Sequence, residues 1–186
     1  MRLDNLTDPI VIQTLSLPGG VIVAPTDTIY GLLARADSQE SFQNLYFIRK
    51  RDLKKSSIIL VSTAENIPGL TEHQIEIYKR LNEERPTTII QKVPDSLWPH
   101  LPKTNGTLAF RAVNNIELAK LIDQVGPLLA PSANHEGEPP ASNVDEAMSY
   151  FGDKISVYVD GGEIKNVPAS KIIAINDGDE IEVIRD

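Results

Sequence analysis

Residues 21–33 read Val-Ile-Val-Ala-Pro-Thr-Asp-Thr-Ile-Tyr-Gly-Leu-Leu. Val21 to Ala24 form a short continuous apolar run, the pattern of a buried strand, and Pro25 ends it because proline cannot donate to a sheet ladder. The polar turn Thr26-Asp27-Thr28 then leads into a second apolar run, Tyr30-Gly31-Leu32-Leu33. A polar turn at the end of a buried strand is where an α/β sheet places ligands.

Working outward, Asp8 and Pro9 make a helix start, and the aliphatic stretch to Leu17 stops at Pro18-Gly19-Gly20. Downstream, Asp37 and Glu40 have capping-box spacing ahead of Phe42, Leu45, Tyr46 and Ile48, which recur at helical intervals. That helix delivers a basic cluster, Arg49, Lys50, Arg51, Lys54 and Lys55, at its C-terminal end. The remaining pattern predicts strands at 57–61, 87–90, 107–112 and 128–130, with helices over 71–84, about 115–124 and about 143–151. Three further strands are predicted near 155–160, 171–175 and 181–185, and residues 93–105 read as a Pro-rich irregular segment. Helices and strands mix throughout, without repeat or linker, so the fold class is α/β: one domain over 1–186 with a mixed, twisted sheet flanked by helices.

With 186 residues, 41% of them hydrophobic and 24% charged, the chain has the composition of a globular protein with one core. It contains no cysteine, which excludes disulfides, thiolate metal sites and cysteine nucleophiles and is compatible with a cytoplasmic location. The N-terminus shows neither a signal sequence nor a membrane span, so no membrane association is expected. A net charge of −8 argues against a surface that grips nucleic acid broadly, leaving any nucleotide contact to the local patch at 49–55.

The common catalytic signatures are missing: there is no Walker A loop, no GxGxxG, no HExxH and no GxSxG. His73, His100 and His135 are isolated and have no cysteine partners, which disfavours a zinc site. Ser132 and His135 stand three residues apart in a loop, a weak basis for a hydrolase triad. More suggestive are three polar segments beside strands, at 25–31, 49–55 and 130–137. Each also has a bland reading, as a turn, as a basic helix end facing the macrodipole, or as a helix cap.

In order and spacing, PTDTIYGL at 25–32, the basic stretch, TLAFR at 107–111, PSANHEGEPPAS at 131–142, DGG at 160–162 and the terminal IEVIRD resemble the YrdC/TsaC family over about residues 10–185. The resemblance implies a YrdC-like domain with a positively charged concave face that binds ATP and L-threonine. It implies synthesis of threonylcarbamoyl-adenylate and pyrophosphate from L-threonine, bicarbonate or CO2, and ATP, with Mg²⁺ on the phosphates. A separate transferase would then use the adenylate to modify an adenosine in tRNA, and any contact of this chain with tRNA would be weak.

Carried over by motif, Thr28, Arg111 and Ser170 match threonine-binding positions. Arg51, Lys55, Thr107, Ser132, Asn134, Ser142 and Arg185 match positions that approach ATP. Arg49, Arg51, Ser132 and Asn134 are the residues the resemblance assigns to catalysis, which for this reaction means positioning and fixed charge, since both reacting partners are anionic. The chain departs from the family pattern with Arg49 in place of Lys, Asp52 and Ser56 in place of two prolines, and Ser170-Lys171 in place of Ser-Thr. Arginine keeps the charge of lysine but changes its shape and hydration. Three other readings stand beside this one: a YrdC-like paralogue that binds nucleotide or RNA without adenylate synthesis, a carbamoyl-transfer module, and a hydrolase using Ser132.

Overall fold

Along the central strands, side chains alternate between two hydrophobic cores, which is why the sequence shows unbroken apolar runs there. Ile22 and Ala24 enter one core while Val23 enters the other, and Leu60 and Leu128 face opposite to Ile59 and Leu129. A strand with both sides buried has no solvent-facing position for a polar residue.

The computed structural model describes residues 1–165 and 167–186. In chain order its elements are β1 (Arg2–Leu3), α1 (Pro9–Ser16), β2 (Ile22–Pro25), β3 (Tyr30–Arg35), α2 (Gln39–Arg49), β4 (Ile58–Val61), α3 (Glu72–Glu84) and β5 (Thr87–Lys92). They continue with β6 (Thr107–Ala112), α4 (Ile116–Val125), β7 (Leu128–Leu129), α5 (Val144–Phe151), β8 (Tyr158–Val159), β9 (Lys171–Ile175) and β10 (Ile181–Arg185). All ten strands join one sheet in the order β1-β8-β2-β3-β7-β4-β6-β5-β9-β10. The sheet is mixed: β4 and β6 run parallel, whereas β2 and β3, β3 and β7, and β5 and β6 are antiparallel. α1 and α4 cover one face through Val11, Leu15, Leu118, Leu121 and Ile122, and α2, α3 and α5 cover the other through Phe42, Leu45, Tyr46, Tyr78 and Phe151.

Helix starts follow the local chemistry of the chain. Asp8 caps α1 by accepting from Ile10 N at 2.8 Å, with Pro9 in the first turn, where its missing N–H costs nothing. The Thr71 and Gln74 side chains form a reciprocal capping box on α3. At α2 the cap is Ser38, whose hydroxyl accepts from Ser41 N; Asp37 instead takes both ends of the Arg35 guanidinium, at 2.9 and 2.7 Å. An adjacent arginine outcompetes the backbone for that carboxylate. The two-residue strand β1 was also not anticipated, because it exists through its parallel pairing with β8 and carries no periodicity of its own. No helix among the described residues is long and apolar enough to cross a membrane.

Candidate active site

The first and fourth motifs are one structure. Leu32 N donates to Pro131 O and Ala133 N donates to Tyr30 O, both at 2.9 Å, so Gly31 and Ser132 face each other across an antiparallel bridge. Within the 26–29 turn, Thr26 Oγ1 donates to Ile29 O at 2.7 Å and accepts from Thr28 N at 3.2 Å, closing the turn on itself. The Tyr30 hydroxyl accepts from Gly161 N and donates to Gly162 O, each at 2.8 Å, which ties the DGG segment to the same corner. Gly161 is required there: a Cβ at that position would sit 2.6 Å from Pro25 Cγ.

These segments enclose a cleft of about 350 Å³. Seven of the residues expected from sequence line it: Thr28 from the first turn, Arg49 and Arg51 at the end of α2, Arg111 from β6, Ser132 after β7, Ser170 before β9 and Arg185 on β10. Four arginines thus face one cavity, and no described lining residue is a carboxylate. In a chain of net charge −8 these four arginines lie together, with Arg111 and Arg51 each meeting a carboxylate, Asp27 and Glu136, outside the lining.

Each arginine is held differently. Arg49 is 6% exposed; its Nε donates to Ser132 O at 3.0 Å, and its Nη2 reaches Ser132 Oγ at 2.9 Å and Asn134 Oδ1 at 3.4 Å. Burial, followed by the charge of Arg51, lowers the Arg49 pKa, and Glu136 partly opposes this. Arg51 Nη2 donates to Ser56 O at 2.7 Å and its guanidinium lies 5.8 Å from the Tyr46 ring centre. Arg185 Nη2 donates to Ser170 O at 2.7 Å, bringing β10 to the cleft. Arg111 lies with Nη2 2.8 Å from Asp27 Oδ1, an off-axis ion pair without an aligned hydrogen bond.

The other four expected residues do not line the cleft. Asn134 is consumed by its own loop: besides accepting from Arg49, its Nδ2 donates to His135 O at 2.8 Å and Glu138 O at 2.6 Å. Its place is therefore behind Arg49, as a brace. Lys55 points to Glu136 Oε1 at 2.8 Å. The Thr107 hydroxyl donates to Thr104 O at 2.7 Å to close the turn before β6, and the Ser142 hydroxyl donates to Glu146 at 3.0 Å in the capping of α5. Local hydrogen bonds occupy both of these hydroxyls.

Sequence reasoning missed Asp27 and Glu136. Asp27 had a signal, since a carboxylate inside the first motif borders a strand end, but its partner lies on β6, far along the chain. Glu136 had none. The Arg49 Nη1, Arg51 Nε and Arg111 Nε atoms are buried and have no hydrogen-bond partner among the described residues. Both Asp27 oxygens beside Arg111 and, outside the cleft lining, Arg85 Nε are buried and unpaired in the same way, so the unpaired atoms by themselves do not mark the cleft as an anion site.

The fold and this cleft define a mixed α/β domain with an arginine-lined pocket at the strand ends. The profile of the Sua5/YciO/YrdC family, described as telomere recombination, matches residues 15–186. Threonylcarbamoyl-AMP synthase of Coxiella burnetii is 34% identical over 148 residues, covering 77% of this chain and 79% of the relative. The crystal structure of P. abyssi Sua5 complexed with L-threonine has a TM-score of 0.77 at 24% identity over 94% of this chain, which spans 54% of that protein. E. coli YciO has the same fold, with a TM-score of 0.75 at 21% identity, covering all of this chain and 93% of its own. The chain belongs to the Sua5/YciO/YrdC family. It is an enzyme of the nucleotidyltransferase type, like its curated relatives.

Proposed function

We propose that residues 1–186 act as a single domain that makes threonylcarbamoyl-adenylate and pyrophosphate from L-threonine, bicarbonate or CO2, and ATP. The observation that carries this reading is the convergence of Thr28, Ser132, Ser170 and four arginines on one cleft, two of the arginines, Arg111 and Arg51, also meeting the carboxylates of Asp27 and Glu136 outside its lining. The name of the Coxiella burnetii relative and the L-threonine bound to P. abyssi Sua5 support the choice of substrates.

In the proposed reaction the threonine amine attacks CO2, loses a proton and becomes an N-carboxylate. One oxygen of that group attacks the α-phosphorus of ATP, and the bond to the bridging oxygen breaks to release pyrophosphate. Nucleophile and electrophile repel each other, so a site for this step must supply fixed positive charge and hold both in line. Arg51, Lys55 and Arg185 are assigned to the phosphates, and Thr28, Arg111 and Ser170 to threonine. Arg49 contributes charge at an orientation set by Ser132 and Asn134. Mg²⁺ is proposed to enter with the nucleotide as its complex. The product would pass to a separate transferase acting on tRNA in the cytoplasm, with at most a weak tRNA contact by this chain.

Pyrophosphate release measured with ATP and bicarbonate, with and without L-threonine, tests the reading. Release that depends on threonine supports it. ATP binding without threonine-dependent release favours instead a paralogue that binds nucleotide without synthesis, a reading to which Glu136 on Arg51 and Lys55 lends weight.

A further inference from the structure

The basic patch at the end of α2 is already engaged by the loop that follows Ser132. Glu136 Oε1 lies 2.8 Å from Lys55 Nζ and 3.4 Å from Arg51 Nη1, so one carboxylate oxygen bridges two cations, as a phosphate oxygen would. We infer that Glu136 is an internal competitor for the phosphate subsite formed by Arg51 and Lys55, which any polyphosphate ligand must displace. The inference rests on the reading of the cleft as a nucleotide site.

Two further features fit an exchange by side-chain movement. The backbone around Glu136 is fastened, since Glu136 N donates to Arg49 O at 3.1 Å and Asn134 Nδ2 holds Glu138 O at 2.6 Å. The carboxylate itself is tied by Lys55, which is 56% exposed, by Arg51 and, more weakly, by the Asp52 backbone N–H. Asp52, the other acid in this stretch, accepts from Lys54 N at 2.9 Å, which turns it toward its own loop. The Lys55 ammonium, then the Arg51 guanidinium, holds the Glu136 carboxyl below the usual range, so it is charged and competing at neutral pH. Arg111 has Asp27 as its ion-pair partner and makes no contact with Glu136, so a ligand held by Arg111 alone does not have to displace it.

Partly exposed ion pairs are weak, which lets a polyphosphate win the exchange at a small cost in affinity. Titration calorimetry with inorganic pyrophosphate, with ATP and with L-threonine tests this on the unmodified protein, Glu136→Gln, Glu136→Ala and the neighbouring control Glu138→Gln. The expected result is that both Glu136 variants bind pyrophosphate and ATP about three- to tenfold more tightly, while threonine affinity and the control are unchanged. Unmodified protein that binds pyrophosphate and variants that bind it equally or less tightly would overturn the competitor role and make Glu136 an organiser of the two cations. If neither the unmodified protein nor the variants bind ATP or pyrophosphate, the nucleotide reading itself falls, and the competitor falls with it. Thermal melting of each variant separates misfolding from a change in binding.

Discussion

Arg111 on β6 and Asp27 in the β2–β3 turn form an ion pair of 2.8 Å in which the side chains are only 5% and 4% exposed. Both Asp27 oxygens and Arg111 Nε lack an aligned hydrogen bond among the described residues, so the two charges depend on each other for compensation.

Asp27→Asn is therefore expected to leave a buried guanidinium without its counter-charge and to destabilise the protein by about 3–5 kcal/mol, the range for removing one partner of a buried pair. Urea unfolding measures this. In the proposed site the same change should weaken L-threonine more than ATP, because Arg111 would lose its fixed orientation; Arg111→Ala should do so more strongly. Calorimetry showing equal losses for the two ligands would remove Arg111 from the threonine assignment.

The fork from Arg49 to Ser132 and Asn134 predicts a coupled pair. Arg49→Ala removes both the charge and the fork, and pyrophosphate release should fall by about 10²-fold, the scale of loss for a misplaced group. Asn134→Ala frees Arg49 and loosens the 134–138 loop, so the double variant should be less damaged than the sum of the two single ones. A coupling of about 0.5–3 kcal/mol in a double-mutant cycle is expected. Strict additivity would mean that Asn134 acts only on its loop.

Arg51 and Lys55 carry the attraction for a polyphosphate in the proposed site. Replacing both with Gln should raise the ATP Kd well beyond the effect of the same change at Lys79 and Arg80 on α3. Exposed charges are screened over about 8 Å at physiological salt, so ATP binding by the unmodified protein should weaken as salt rises and the double variant should show a shallower slope. Affinity insensitive to both tests would leave the patch as a solvated helix end.

Tyr78 links the fold to the site. Its hydroxyl is buried, donates to Thr87 O at 2.7 Å and accepts from Ala112 N at 2.9 Å, joining β5 to the strand that carries Arg111. Burial raises its pKa, so the phenol stays neutral and can keep both bonds. Tyr78→Phe should cost about 1–3 kcal/mol in chemical denaturation, since two buried backbone groups lose their partner. A change within experimental error would show that the neighbouring groups find each other.

Much of the architecture was legible because it is locally encoded. The double-faced apolar runs at 21–24 and 57–61, the helical periodicity from Phe42 to Ile48, and the amphipathic pattern over 71–84 each carry their signal within a few residues. β1 and the Asp37–Arg35 pair did not follow from pattern, since one depends on a distant strand and the other on a side chain winning over a backbone group.

For the site, the family resemblance singled out eleven residues, of which seven, Thr28, Arg49, Arg51, Arg111, Ser132, Ser170 and Arg185, line one cleft. What tertiary structure alone decided is which polar groups are free to meet a ligand. Asn134, Thr107 and Ser142 spend their side chains on local hydrogen bonds, while Arg111 and the Arg51–Lys55 pair meet carboxylates at positions 27 and 136. Residue type and spacing set what a side chain can donate or accept. Which partner it meets depends on distances between segments that the chain brings together only on folding, because a hydrogen bond is lost within about 1 Å of its ideal length and Coulomb energy declines as the inverse of distance.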